Sequence, residues 1–222
     1  MDFILKVSEP VIYGAIALAA IYGVFCVVLL SRKIAQKRFS SPAKAGEFLD
    51  EVRSRLQRRD FDGIAELCDS PSYWSKATPQ MILLSLAHRD RGLTKLRQLI
   101  SEKYERDVLA DLEYRFSWIG TMIKTAPMLG LLGTVTGMIA AFGKLAAASR
   151  GGVDPTVLAN DISFALLTTA YGLMIAIPLT VLGAAVQVKK GKLTDSVQEQ
   201  MSEFLYDLET VMQSSSRPTG NV

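Results

Sequence analysis

Histidine and cysteine are nearly absent from this sequence: His88 is the single imidazole, and Cys26 and Cys68 are the two thiols. With so few ligands of the usual types, no metal or haem site is predicted. A disulfide is not expected either, because Cys26 falls in an apolar run and Cys68 in a charged segment. There is no phosphate-binding loop and no nucleophile with a base beside it, so the chain reads as a non-enzyme that needs no cofactor. Strand-like alternation does not occur over any useful length, which leaves an all-α fold.

Charge is the next absence. Residues 11–30, 125–143 and 162–188 contain no Asp, Glu, Lys or Arg, and each run reaches the roughly 20 residues a helix needs to cross about 30 Å of hydrocarbon. Three transmembrane helices are therefore predicted, in contact with a lipid bilayer. The net charge of +3 does not point to nucleic acid, because the basic residues gather at particular ends of these runs. Arg32, Lys33, Lys37 and Arg38 follow the first run, Lys103, Arg106 and Arg115 precede the second, and Lys189, Lys190 and Lys192 follow the third. The opposite ends hold Asp2, Lys6 and Glu9, and Lys144, Arg150, Asp154 and Asp161. The positive-inside rule then places the N-terminus outside and the C-terminus in the cytoplasm. The first run lacks a basic leader and is too long for a signal-peptide core, so it is expected to stay as an anchor.

The predicted layout is a periplasmic N-terminus at 1–10, a first span at 11–31, and a cytoplasmic helical domain at 32–117 that leads into a second span at 118–145. A short periplasmic loop at 146–158 precedes a third span at 159–188, a cytoplasmic helix at 189–213 and a disordered tail at 214–222. Within the charged part, Phe48, Leu49, Val52 and Leu56, then Phe61, Ile64, Ala65 and Cys68, recur at helical spacing and predict two short amphipathic helices. Residues 69–79, with two prolines and several serines, read as a connection. Leu96, Ile100, Tyr104, Val108, Leu112 and Phe116 keep one face apolar up to the second span, so one long helix is expected there. Leu193, Val197, Met201, Phe204, Leu205, Leu208 and Met212 extend the third span in the same way. Asp154 and Pro155 form a start signal for that helix. A helix from there to Met212 would be roughly 85 Å long and would have to bundle with neighbours.

The second and third spans are rich in small residues. Gly130, Gly133 and Gly137 form one stripe, and Ala165, Thr169, Gly172, Ala176, Thr180 and Gly183 form another. Helices in lipid associate through such residues because they let backbones approach. Two readings stay open: tight packing alone, or a polar lining for an ion path to which Thr134, Thr168 and Thr169 contribute. A threonine taken singly is able to bond back to its own helix. Pro127 and Pro178 are expected to bend their helices or free carbonyl groups. No Asp, Glu, Lys, Arg or His lies in the middle of any span, so a conducting protein of this kind would need a partner to bring the charge.

The stretches TAPMLGLLGTVTGMIAAF and FALLTTAYGLMIAIPLTV resemble the proton-channel family of ExbB, TolQ and MotA, the multi-span subunits of ion-driven motors. Three spans, a cytoplasmic insert after the first and a short outer loop are more similar to the ExbB and TolQ branch than to the four-span flagellar stator subunit. The resemblance implies a homopentamer in the bacterial inner membrane whose second and third spans form a helical barrel around a pore. It also implies two copies of a single-span ExbD- or TolR-like partner in that pore, with the partner's aspartate carrying the ion and a TonB-like protein receiving the work. The threonine of the family's GTV motif falls on Thr134 and that of its TAxG motif on Thr169. The sequence departs from the family in two ways. Phe164 stands where ExbB-type members often have a glutamate, and the Thr168–Thr169 pair is similar to sodium-driven stators, so both protons and sodium are carried forward. The alternative from another class is a non-conducting membrane scaffold.

Overall fold

The computed structural model describes residues 2–147 and 154–216, and every long element among them is an α-helix. These are α1 (Asp2–Lys37), α2 (Pro42–Gln57), α3 (Phe61–Asp69), α4 (Ala77–Ala87), α5 (Leu93–Tyr104), α6 (Ala110–Ala147) and α7 (Pro155–Ser216). Three helices, α1, α6 and α7, are long and apolar enough to cross a membrane. The chain divides into two compact units, Met1–Leu29 with Arg115–Val186 and Leu30–Tyr114 with Gln187–Val222.

The first unit is built from parts of these three long helices. Helix α1 buries Ile12, Ile16, Ala19 and Val27 along one stripe. At Gly23, where an added Cβ would lie 2.7 Å from Leu179 Cδ1 and 3.4 Å from Met122 Cβ, it closes on α6 and α7 together. The ring of Tyr13 meets Phe164 edge-on at 5.5 Å, and that of Tyr22 meets Trp118 at 6.0 Å. Leu18, Phe25, Leu131, Leu166 and Val181 point outward. Apolar residues on every side of a helix suit a lipid environment.

In the second unit the short helices are capped by local chemistry. Ser41 accepts the Ala43 N–H at the start of α2, with Pro42 at the first position, and Asp60 accepts the Gly63 N–H at the start of α3. Arg53 of α2 grips α7 by donating to Glu203 at 2.6 Å and Asp207 at 2.7 Å. The connection expected at 69–79 is shorter than its composition suggested, because α4 starts at Ala77. Pro79 sits in the first turn, where a missing N–H costs nothing. Thr78 beside it is buried and donates to Gln200 on α7 at 2.5 Å.

The helix expected from Leu93 onward is interrupted by a π-helical turn at Glu105–Leu109. Its cause is visible in the apolar stripe. Leu96, Ile100, Tyr104, Val108 and Leu112 are all buried yet spaced four apart throughout, and each step of four turns about 40° too far in a regular α-helix. One wide turn removes about 100° of that drift and keeps the stripe on one side. Helix α7 begins at Pro155, with Asp154 accepting the Thr156 N–H at 2.9 Å, and ends at Ser216. The tail expected from 214 is thus helical over its first residues, since the sequence holds no Gly or Pro there before Pro218. The rest of that tail (217–222), and 148–153 of the loop expected at 146–158, with Arg150, lie outside the described residues. The expected terminus at 1–10 is helical from Asp2, with Pro10 inside α1.

Candidate functional site

Helices α6 and α7 run antiparallel and meet backbone to backbone. A Cβ added at Gly172 would stand 2.6 Å from the Ala126 carbonyl oxygen, and one at Gly130 would stand 2.9 Å from both Thr168 O and Thr169 Cα. At Gly137 it would lie 2.8 Å from Ala165 Cβ, and at Gly133 it would overlap the Thr168 side chain. Ala165 and Ala176 are buried on α7 along the same line. The two small stripes noted in the sequence are thus the two sides of one seam, and only glycine fits at its closest points.

The hydroxyls are all engaged. Thr168, 0% exposed, donates to its own helix at Ala165 O, 2.9 Å away. Thr169, half-buried, donates across the seam to Gly130 O at 3.0 Å. That carbonyl also serves the Thr134 amide in the helical ladder, so Gly130 ties Thr134 and Thr169 together. The Thr134 hydroxyl donates to Leu131 O at 2.7 Å. The structure therefore encloses Thr168 within the seam, while Thr134 and Thr169 keep exposed surface. Both helices continue through their prolines, Pro127 and Pro178, which leave the carbonyls of Ile123 and Met174 without their usual helical donors. Phe164 faces α1, where it packs on Tyr13.

One feature of this site is an ion pair at the end of the seam next to the α6–α7 connection. Lys144 donates to Asp161 Oδ1 at 2.8 Å and stands 2.7 Å from Oδ2. The sequence reading placed these residues only as charges at the ends of spans. Their pairing was available from the antiparallel return of α7, which carries Asp161 back past the last turns of α6. Among the described residues no three His, Cys, Asp or Glu side chains gather as a metal site.

The class of protein follows from this geometry: a multi-span helical membrane protein whose second and third long helices form a close, hydroxyl-bearing wall with no Asp, Glu, Lys, Arg or His at mid-span. Comparison with known proteins gives the family. The chain belongs to the MotA/TolQ/ExbB proton channel family, whose model matches residues 76–199, more than half of the sequence. It is similar to the biopolymer transport protein exbB1 of Vibrio cholerae, with 31% identity over 157 residues, 68% of this chain and 65% of that protein. It is also similar to the ExbB-like 1 biopolymer transport protein of Synechocystis, 50% identical over 58 residues, 26% of this chain and 23% of the relative. The Tol-Pal system protein TolQ of Haemophilus influenzae shares 27% identity over 104 residues, 47% of this chain and 43% of the relative. The chain spans less than two thirds of the length of each of these relatives.

Proposed function

We propose that this chain is the ring-forming, ExbB-like subunit of an inner-membrane motor that converts ion flow into mechanical work and energises outer-membrane transport. The observation that carries the reading is the Gly130 carbonyl joining Thr134 and Thr169 on one partly exposed wall, in a member of a proton channel family. Five copies surround two single-span ExbD-like partners, whose aspartate supplies the charge that this chain lacks at mid-span. Each charge crossing about 100 mV releases roughly 2.3 kcal/mol. That energy moves the partner, and a TonB-like protein passes the displacement outward. The source of energy is an ion gradient and not catalysis by this chain. A TolQ-like role in the cell envelope is the second reading, favoured by the similarity to the Haemophilus TolQ.

Replacing Thr134 and Thr169 together by valine tests conduction. Valine keeps the shape and removes both hydroxyls, so ion-driven uptake by cells is expected to fall by at least about tenfold, the effect of roughly 1.4 kcal/mol on a barrier. Serine at both positions should retain most of the activity. Wild-type uptake by the double-valine protein would leave the scaffold reading in place of the motor. Replacing sodium by potassium in the same assay separates sodium from protons.

A further inference from the structure

The ion pair at the outer end of the α6–α7 seam is asymmetric. The Asp161 side chain is 8% exposed and that of Lys144 is 46% exposed, so the carboxylate is fixed inside the protein while the ammonium sits on a flexible stalk that reaches solvent. Buried carboxylates normally collect several donors. Here the single Lys144 ammonium serves both oxygens, Oδ1 at 2.8 Å and Oδ2 at 2.7 Å. Asp161 is also part of the seam itself, since its carbonyl oxygen would lie 2.9 Å from a Cβ at Gly137. Ala165, Thr168 and Thr169 follow it on the next turns of α7, with Thr169 about 12 Å further along the axis.

From this arrangement we infer that Asp161 is the outer cation acceptor of the pathway and that Lys144 is its lock. In the resting state the ammonium occupies the carboxylate. An arriving monovalent cation takes its place, and Lys144, still carrying its own protons, moves to the outer solution. A proton would form an O–H bond on Asp161, and a sodium ion would be held by the carboxylate oxygens. In both cases one positive charge replaces another and the buried site stays neutral, which avoids the cost of an isolated buried charge. Lys144 closes the pair again when the cation moves on toward Thr134 and Thr169. The inference rests on the conducting reading given above.

A structural clamp would use the same two residues, so the test must separate the two roles. Membrane vesicles from the native host, with the gene substituted on the chromosome, are loaded with a pH-sensitive dye or a sodium-sensitive dye. Flux under an imposed gradient is compared with vesicles from a deletion strain, and the melting temperature of the extracted assembly is measured in parallel. In the exchanged variant, Lys144→Asp with Asp161→Lys, the pair is kept but the fixed group is now the cation. The assembly should melt as the wild type does while flux falls by about tenfold or more. Asp161→Asn should lose flux likewise, Asp161→Glu should retain it, and Lys144→Gln should raise the resting leak. Full flux in the exchanged variant or in Asp161→Asn would overturn the inference and leave a clamp. If wild-type and deletion vesicles carry the same flux, the conducting reading itself falls, and the inference with it.

Discussion

At the scale of single residues, the seam sets a sharp contrast between glycines. Gly172→Ala places a methyl group 2.6 Å from a backbone oxygen that cannot rotate away, so the helices must part, at a cost of about 1–3 kcal/mol. Gly191 has nothing within 4 Å of its missing Cβ, and Gly191→Ala should stabilise α7 by roughly 0.5–1 kcal/mol. Melting of the detergent-extracted protein distinguishes the two. Cys68 offers a second check. Burial pushes its thiol up to about 12 from 9.0, so alkylation at pH 8 should be about a thousandfold slower than for an ordinary thiol. Because the folded protein holds this proton more tightly, the stability it contributes is complete below about pH 9 and is lost as pH rises toward 12. Much of the residue scale was legible in the sequence: the spacing of Gly130, Gly133 and Gly137 already indicated close approach. The enclosure of Thr168 beside the half-exposed Thr169 was not legible, since adjacent positions on a helix differ by about 100° and the seam has to be seen before either is assigned.

At the scale of elements, the π turn is the feature most open to test. Deleting Asp107 removes the one residue that the wide turn takes up, so Glu105–Leu109 closes into a regular helix while the segments on either side keep their facing. Leu96, Ile100, Tyr104 and Leu112 then all stay in the core. The second unit should therefore stay folded without Asp107, as it should in Asp107→Ala, which costs only about 0.3–0.5 kcal/mol through its Lys103 pair, and unfolding of the deletion variant would contradict this account of the turn. Circular dichroism melts of the two variants give the comparison. The apolar stripe was read correctly from the sequence, but its four-residue step is incompatible with an unbroken α-helix, and that arithmetic, not composition, marks the turn. Helix α4 was missed for a different reason. Pro79 and the serines before it have the composition of a loop, and the helix is held by distant partners such as Gln200, which accepts from Thr78 122 positions away in sequence, and by the burial of Met81, Ile82 and Leu86.

For the whole molecule, the proposed assembly has a definite mass signature. Native mass spectrometry of the extracted complex should find five copies of this chain with two of the single-span partner, and a dimer or tetramer would contradict the ring. Orientation is tested separately: a reporter that fluoresces only in the cytoplasm should be bright when fused after Val222 and dark when fused before Met1. The all-helical fold and its three apolar helices were legible because the bilayer fixes both length and polarity along the chain. Assembly was not, because outward apolar residues satisfy lipid and a neighbouring subunit equally well.

The hydroxyls of Thr134 and Thr169 have already given away their hydrogens, one to Leu131 and one to Gly130. Only lone pairs are left to greet a visitor. Such a surface bonds with a carboxylic acid that still bears its hydrogen, or with a bare metal cation, and offers nothing to the same acid once ionised. In the proposed motor such a wall would read whether its guest is loaded or empty, and a rotor that sticks when loaded and slips when empty would need no further pawl.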